Sequence, residues 1–178
     1  VFIHPKHYTI YGGQETGLTV RNIKSFSNWG WSDGIDLMSC SDVSIDDIFM
    51  RNSDDCIAIY GHRWEAYGNV RNIQIKNSTL WADIAHPINI GLHGNAEADG
   101  DTIEHITFSN IDILEHDEAD RNCQGCMAIC PSDNNLVRNI TFDNNRVENF
   151  LEGLLFNIRV LNDKKYSKAT GRGIENIL

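Results

Sequence analysis

The sequence predicts an all-β fold, a right-handed parallel β-helix in which successive coils of chain stack on one another. Three observations predict it. A pattern of apolar-x-apolar-x-Asn/Asp recurs along the chain, each copy alternates apolar and polar residues, and each copy is followed by a second short alternating run. Alternation with period two marks a strand with one buried face, and no segment carries a sustained 3.6-residue apolar pattern with caps. Self-similarity at a period of roughly 20 to 50 residues marks a repeat architecture, whose units bury their apolar faces only against one another.

The copies are Leu18 to Asn22, Val43 to Asp47, Ile73 to Asn77, Ile106 to Asn110 and Ile140 to Asn144, with Ile174 to Leu178 reading as a sixth. Their first positions, 18, 43, 73, 106, 140 and 177, lie 25, 30, 33, 34 and 37 residues apart. The growing spacing places insertions between strands and leaves the strands intact. The second runs are Ile35-x-Leu37, Ile57-x-Ile59, Ile88-x-Ile90, Met127-x-Ile129 and, less regular, Leu154 to Val160. A leucine-rich-repeat horseshoe is the rival architecture, but it needs leucines at fixed spacing and a helical return, and these copies are rich in Ile and Val. The asparagines at a constant offset are expected to stack as a ladder at a bend, with coils about 4.8 Å apart. The whole chain, residues 1–178, reads as a single domain of about five coils. It begins at Val1 and stops inside the pattern, as expected of a piece of a longer helix whose uncapped ends offer a surface for association.

At 178 residues with 41% hydrophobic content the chain can bury a core. Its formal charge of −10, with no basic run longer than Lys164-Lys165, argues against nucleic acid and against an anionic membrane as partners. No stretch reaches the roughly 18 consecutive apolar residues of a membrane span. Five cysteines, Cys40, Cys56, Cys123, Cys126 and Cys130, cannot all pair within the chain. Cys123-x2-Cys126-x3-Cys130 lacks the second ligand pair of a zinc site and reads as small buried thiols. Asp99-Gly100-Asp101 offers oxygen ligands but lacks the remaining spacing of a calcium loop. No metal and no other cofactor is assigned.

Aligning Ile35, Ile57, Ile88 and Met127 places Asp33, Asp55, His86 and Gly125 in one column, two residues before each strand, with Asp54 beside Asp55. Successive side chains of a strand face opposite sides, so Asp54 and Asp55 share a cleft only if the chain bends there. Three carboxylates crowded on neighbouring coils raise one another's pKa, and acid/base chemistry is the commonest reason for such a cluster. A glycosidase needs one protonated carboxyl for the leaving oxygen and one carboxylate to activate water, about 6.5–9.5 Å apart in inverting enzymes.

Ser32-Asp33-Gly34, Asp54-Asp55-Cys56 and Ala85-His86-Pro87-Ile88-Asn89-Ile90-Gly91 resemble the Asn-Thr-Asp-Gly, Asp-Asp-Cys and Gly-His-Gly-x-x-Ile-Gly motifs of the polygalacturonase-like glycoside hydrolases, family 28, over residues 17–160. A looser resemblance joins the chain to the dextranase and isopullulanase group, family 49, which acts on neutral glucans. The resemblance implies an inverting glycoside hydrolase on a pectin-lyase-type β-helix, secreted or periplasmic, acting on a pectic, galacturonan-like or neutral polysaccharide or oligosaccharide. It implies Asp54 as general acid, Asp33 and Asp55 as the pair holding the attacking water, and His86 as an assisting histidine. The Arg-x-Lys with which that family grips a uronate is absent from the coil of Gly125, where the chain reads Cys126-Met127-Ala128-Ile129-Cys130; Arg159, one coil later, is the nearest basic residue.

Aromatic faces stack on sugar rings. Trp31, before Asp33, and His62, Arg63 and Trp64, in the insertion after the Asp54-Asp55 strand, are assigned to substrate binding, together with His93 and Arg159. Trp29, Tyr60 and Tyr67 stand in the same surroundings, and the acidic run Glu115-His116-Asp117-Glu118 offers a further subsite. Two other functions fit the fold: a non-catalytic carbohydrate-binding or adhesin module, and a polysaccharide lyase.

Overall fold

A computed structural model of the chain describes residues 1–121 and 124–178. Among the described residues the secondary structure is all β, in two parallel sheets. One sheet takes β1 (Phe2–Ile3), β3 (Thr19–Phe26), β5 (Ser41–Asn52), β7 (Val70–Ala82), β9 (Thr102–Asp117), β11 (Leu136–Asp143) and β14 (Gly173–Ile177) in that order, and β12 (Arg146–Glu152) also pairs with β9. The other takes β2 (Ile10–Gly13), β4 (Ile35–Met38), β6 (Ile57–Tyr60), β8 (Ile88–Ile90), β10 (Met127–Ile129) and β13 (Phe156–Ile158). Apart from β11 and β12, which lie in the same sheet, the chain alternates between the sheets, and the strands pair with their counterparts one coil away, consistent with a β-helix. Among the described residues no helix is long and apolar enough to cross a membrane.

The register is that expected from the repeats. Ile35 stands opposite Ile57, Ile57 opposite Ile88, and Ile88 opposite Met127, which pairs onward with Phe156. In the other sheet Val43 pairs with Ile73, Ile73 with Ile106, Ile106 with Ile140, and Ile140 with Ile177. Alternation sends these residues inward, so Ile35, Leu37, Ile57, Ile59, Ile73, Ile75, Ile106 and Phe108 are fully buried in one continuous core. Phe108 stacks on Phe142 of the next coil at 5.3 Å. Burying such a side chain contributes about 1.5–3 kcal/mol.

The repeated asparagine does not end its strand. Asn77 (φ 50°) lies inside β7 and Asn110 (φ 55°) inside β9, each in the left-handed region that Asn and Asp tolerate best, and each turns the strand onto a new side of the coil. Asp47 and Asn144 hold the same conformation at the same register. The Asn110 amide donates to Asn77 (3.1 Å) and the Asn144 amide to Asn110 (2.8 Å). Five residues earlier in each coil, Asp42, Asn72, His105, Asn139 and Asn176 repeat the bend. This second row had no counterpart in the sequence reading, since His105 interrupts its composition.

Of the cysteines, Cys40, Cys56, Cys126 and Cys130 are buried, and Cys123 lies outside the described residues. Burial pushes the Cys126 thiol up to about 12, which keeps it a small apolar group.

The coil ladder runs directly through the acidic segments. The Gly34 N–H donates to the Asp55 carbonyl (2.8 Å), and the Cys56 N–H donates to the His86 carbonyl (2.8 Å). At Gly34 a side chain has no room: an added Cβ would stand 2.3 Å from the Cys56 carbonyl oxygen and 3.0 Å from Asn52 Oδ1. The expected result of Gly34→Ala is a loss of about 1–3 kcal/mol, the usual cost of overpacking, seen as a lower urea midpoint. An unchanged midpoint would show that the coils are not held this close.

Candidate active site

Asp33, Asp54 and Asp55 converge because their coils stack in register and because the chain bends at Asp54. The bend is built locally: the Asp54 carboxylate accepts the Asp55 N–H (3.0 Å), so both acids face one cleft. One oxygen from each of Asp33, Asp54 and Asp55 lies within 4.8 Å of the others. Such spacing admits a cation or a shared proton, and an acidic cluster alone does not choose a metal.

Asp55 is anchored on all sides. Its Oδ1 faces the His86 backbone N–H (3.0 Å) and His86 Nδ1 (2.6 Å), while Oδ2 accepts from Asn89 Nδ2 (2.7 Å) and the Tyr60 hydroxyl (3.2 Å). Burial by itself would raise this carboxyl, but the His86 ring and the donors from His86 and Asn89 together hold it below the usual carboxylate range. Asp54 is pushed up to about 6, first by burial and then by the Asp55 charge. Asp33 is raised further, by burial first and then by Asp36, Asp55 and Asp54. The acids of one cluster are thus set apart in acidity by their surroundings, the pattern that separates an acid from a base in one site.

The cleft has a volume of about 630 Å³. Of the residues assigned from sequence, it brings together Asp33, Asp54, Asp55, His86, Trp31, Arg63, Trp64 and His93. It does not bring His62 or Arg159 to the lining. A tight pairing of Arg63 with Ala66 turns Arg63 and Trp64 over the cleft. His62, just before that turn, lies instead with Tyr67 at 6.1 Å. Arg159 follows β13, beyond the cleft end of the sheet, and is exposed. Trp31 stands 77% exposed at the rim. Trp64 stacks on Tyr8 (5.8 Å), and the Arg63 guanidinium lies 4.6 Å over the Trp64 ring. His93 packs edge-on against Tyr60 (4.8 Å), and burial with the Arg63 charge lowers it to about 3, so its ring is neutral.

Several lining residues had no motif to announce them. Tyr8 comes from the first coil, Asn89 from the outward position of β8, and Asp120 and Tyr166 from loops 46 residues apart that meet through a 2.6 Å hydrogen bond. Glu118 lines the cleft from the acidic run, whereas Glu115 bonds to Trp81 and Asn149 elsewhere. A wider groove of about 840 Å³ between Asn72, His105 and Asn139 is walled by amides and hydroxyls without converging carboxylates. Asp99 and Asp101 do not join a third acid, histidine or thiol at ligand spacing among the described residues.

Comparison with known families adds the deciding observation: the model of glycosyl hydrolases family 28 matches residues 5–177. The chain belongs to this family. No curated protein and no solved structure matched it. This family 28 protein is a glycoside hydrolase, and its two parallel sheets fit the β-helix expected of it.

The displaced acidities have opposite consequences for stability. A carboxyl raised in the folded state is stable when protonated and loses that stability as pH rises through its folded pKa. Asp54→Asn in this family 28 enzyme is therefore expected to raise stability at pH 7 by about 1–3 kcal/mol, and to change it little at pH 3, below the ordinary carboxyl value of 3.8, where the group is mostly protonated in both states. Asp55 is lowered, so its contribution is present above the unfolded pKa and lost as pH falls through the folded one. Asp55→Ala is expected to cost about 3–5 kcal/mol at pH 7, because it removes the acceptor that the His86, Asn89 and Tyr60 donors share. Thermal unfolding at both pH values checks the pair; a destabilised Asp54→Asn would contradict this account.

Proposed function

We propose that this glycoside hydrolase cleaves a pectic or neutral polysaccharide or oligosaccharide with inversion, using Asp54 as general acid and the Asp33–Asp55 pair to hold the attacking water. The observation that carries the reading is the convergence of the three carboxylates, with acidities set apart, in one aromatic-walled cleft. Asp54, protonated in mildly acidic solution, gives its proton to the leaving glycosidic oxygen. Asp55 has its oxygens occupied by protein donors and serves as the fixed negative charge that orients His86. Asp33, held above the usual carboxylate range, orients the water, whose proton passes to the His86–Asp55 pair. The close approach of the acid oxygens is shorter than the roughly 6.5–9.5 Å of a typical inverting pair, so inversion rests on the family rather than on spacing.

The missing uronate grip bears on which sugar the cleft takes. The two positions of that coil that face away from the core are Ala128 and Cys130, both buried. Among the described residues the lining carries five acids, Asp33, Asp54, Asp55, Glu118 and Asp120, against Arg63 as its one arginine or lysine. That balance favours a glycan whose sugar at the acids is neutral, with Trp31, Trp64 and Tyr8 offering stacking faces. We infer further that the coil is right-handed, as nearly all parallel crossovers are, that the asparagine pairs continue as a ladder, and that the enzyme meets its polymer outside the cytoplasm, secreted or periplasmic.

Reducing-sugar release from a panel of pectic and neutral polysaccharides tests the assignment. Asp54→Asn is expected to lose about 10²–10⁴-fold in kcat, the usual worth of a positioned proton donor; full activity in that variant removes Asp54 from its role. Proton NMR of the first product formed is expected to show the anomer opposite to that of the cleaved bond. A product of unchanged anomeric configuration would overturn the water-attack scheme.

A further inference from the structure

We propose that Arg51, Ser53 and Asp83 are positioning residues, a side-chain clamp that fixes the segment carrying Asp54 against the segment carrying His86; its bearing on catalysis rests on the proton-donor role proposed for Asp54. The need for a clamp follows from the two crossings between the sheets. From β5 to β6 the chain crosses in four residues, 53–56, and in the next coil, from β7 to β8, it crosses in five, 83–87. Crossings of unequal length cannot stay in register, so the ladder is interrupted. The pairing of β5 with β7 ends at Asn52 opposite Ala82, and one more bond runs from the Asp83 N–H to the Asn52 carbonyl (3.2 Å). The next is that of the Cys56 N–H with the His86 carbonyl (2.8 Å). Between them no backbone bond joins the two crossings among the described residues. Ala85, at φ 67°, absorbs the extra residue in the left-handed region. Asp54, Asp55 and His86 all stand in this interval and line the cleft.

Side chains span the gap. At the cleft, the Asp55 carboxylate meets the His86 backbone N–H and ring. Outside the cleft lining, Asp83 Oδ2 accepts from Arg51 Nη2 (2.5 Å) and from the Ser53 hydroxyl (3.0 Å), while Oδ1 is buried with no hydrogen-bond partner among the described residues. Both donors thus converge on one oxygen. Arg51 Nη1 donates back to the Ser27 carbonyl of the preceding coil and to the Ser53 oxygen (3.3 Å). The guanidinium also lies 5.5 Å from the centre of the Trp81 ring, whose indole N–H donates to Glu115 one coil further on (3.3 Å). An exposed ion pair contributes little, but these side chains are only 23% and 28% exposed, and the pair is charge-assisted and shared with a hydroxyl, a carbonyl and a ring face. Ser53 is held from both sides and leads directly into Asp54. The Asp54 carboxyl bonds to the N–H of its own turn, so its place in the cleft follows the backbone that Ser53 fixes. A displacement of about 1 Å in a reacting group can cost about 10²-fold in rate.

Amide hydrogen exchange followed by NMR tests the clamp without turnover. In Asp83→Ala the Asp55 N–H, which closes the Asp54 turn, is expected to exchange about 10-fold faster or more, while amides in the middle of β5 and β7 keep their protection. No acceleration at Asp55, or an acceleration shared equally by the middle of those strands, overturns the local clamp. In turnover, Asp83→Ala is expected to lose about 10-fold or more in kcat at little-changed KM. Asp83→Asn, whose amide oxygen still accepts from Arg51 and Ser53, is expected to recover most of that loss. An unchanged kcat in Asp83→Ala, or an Asp83→Asn enzyme as slow as Asp83→Ala, overturns the positioning role. If the unaltered protein turns over no glycan, the exchange rates still decide the clamp, and the glycosidase reading fails by itself.

Discussion

The backbone ladder between coils is the constraint on which the site depends. Each coil is bonded to the next through consecutive N–H and C=O groups, and the ladder continues past the ends of β4, β6 and β8 into Gly34, Cys56 and their partners. Side chains at one register position therefore stand a single strand spacing apart, about 4.8 Å, whatever their charge. Asp33 and Asp55 cannot relax away from each other without breaking that ladder. Gly34 is the counterpart of this rigidity, because the backbone of the next coil comes too near for any side chain there.

Held together in this way, the acids are managed by unequal solvation. Asp55 receives donors on both oxygens and carries its charge comfortably. Asp54 and Asp33 receive fewer, and burial with the neighbouring charge raises them. Carboxyls of unlike acidity thus arise from the same residue type, and the raised members store electrostatic strain that the apolar stack beneath must offset. Such strain is tolerated because every coil adds fully buried Ile, Leu or Phe side chains to one continuous core. The proton affinity that the proposed acid role of Asp54 requires is the same property that lowers stability at neutral pH, a trade-off common at active sites.

The repeat was legible because its signal is local and redundant. Each coil states the same alternation, and six copies correct one another, so Ile35, Ile57, Ile88 and Met127 could be aligned by sequence alone and stand aligned in the sheet. The bends were half legible: asparagine marks one row, while His105 and Asp42 blur the other, since the left-handed conformation constrains the backbone more than it constrains the side chain. Insertions were opaque. Nothing in His62-Arg63-Trp64 tells which of three neighbours turns toward the cleft, and a two-residue bridge between Arg63 and Ala66 decides it.

By itself, then, the sequence determined the strand register, the inward residues and the column of Asp33, Asp55 and His86, because period-two alternation and a parallel ladder convert position along the chain into position in space. Only the tertiary structure decided what the acids feel. Tyr8 from the first coil, Asn89 from the third and Tyr166 from near the chain's end reach the cleft over distances that no local pattern encodes. The burial of Asp36 beneath Arg63 is of the same kind, since an outward-facing aspartate on a strand reads as a solvated surface residue until a distant loop folds over it.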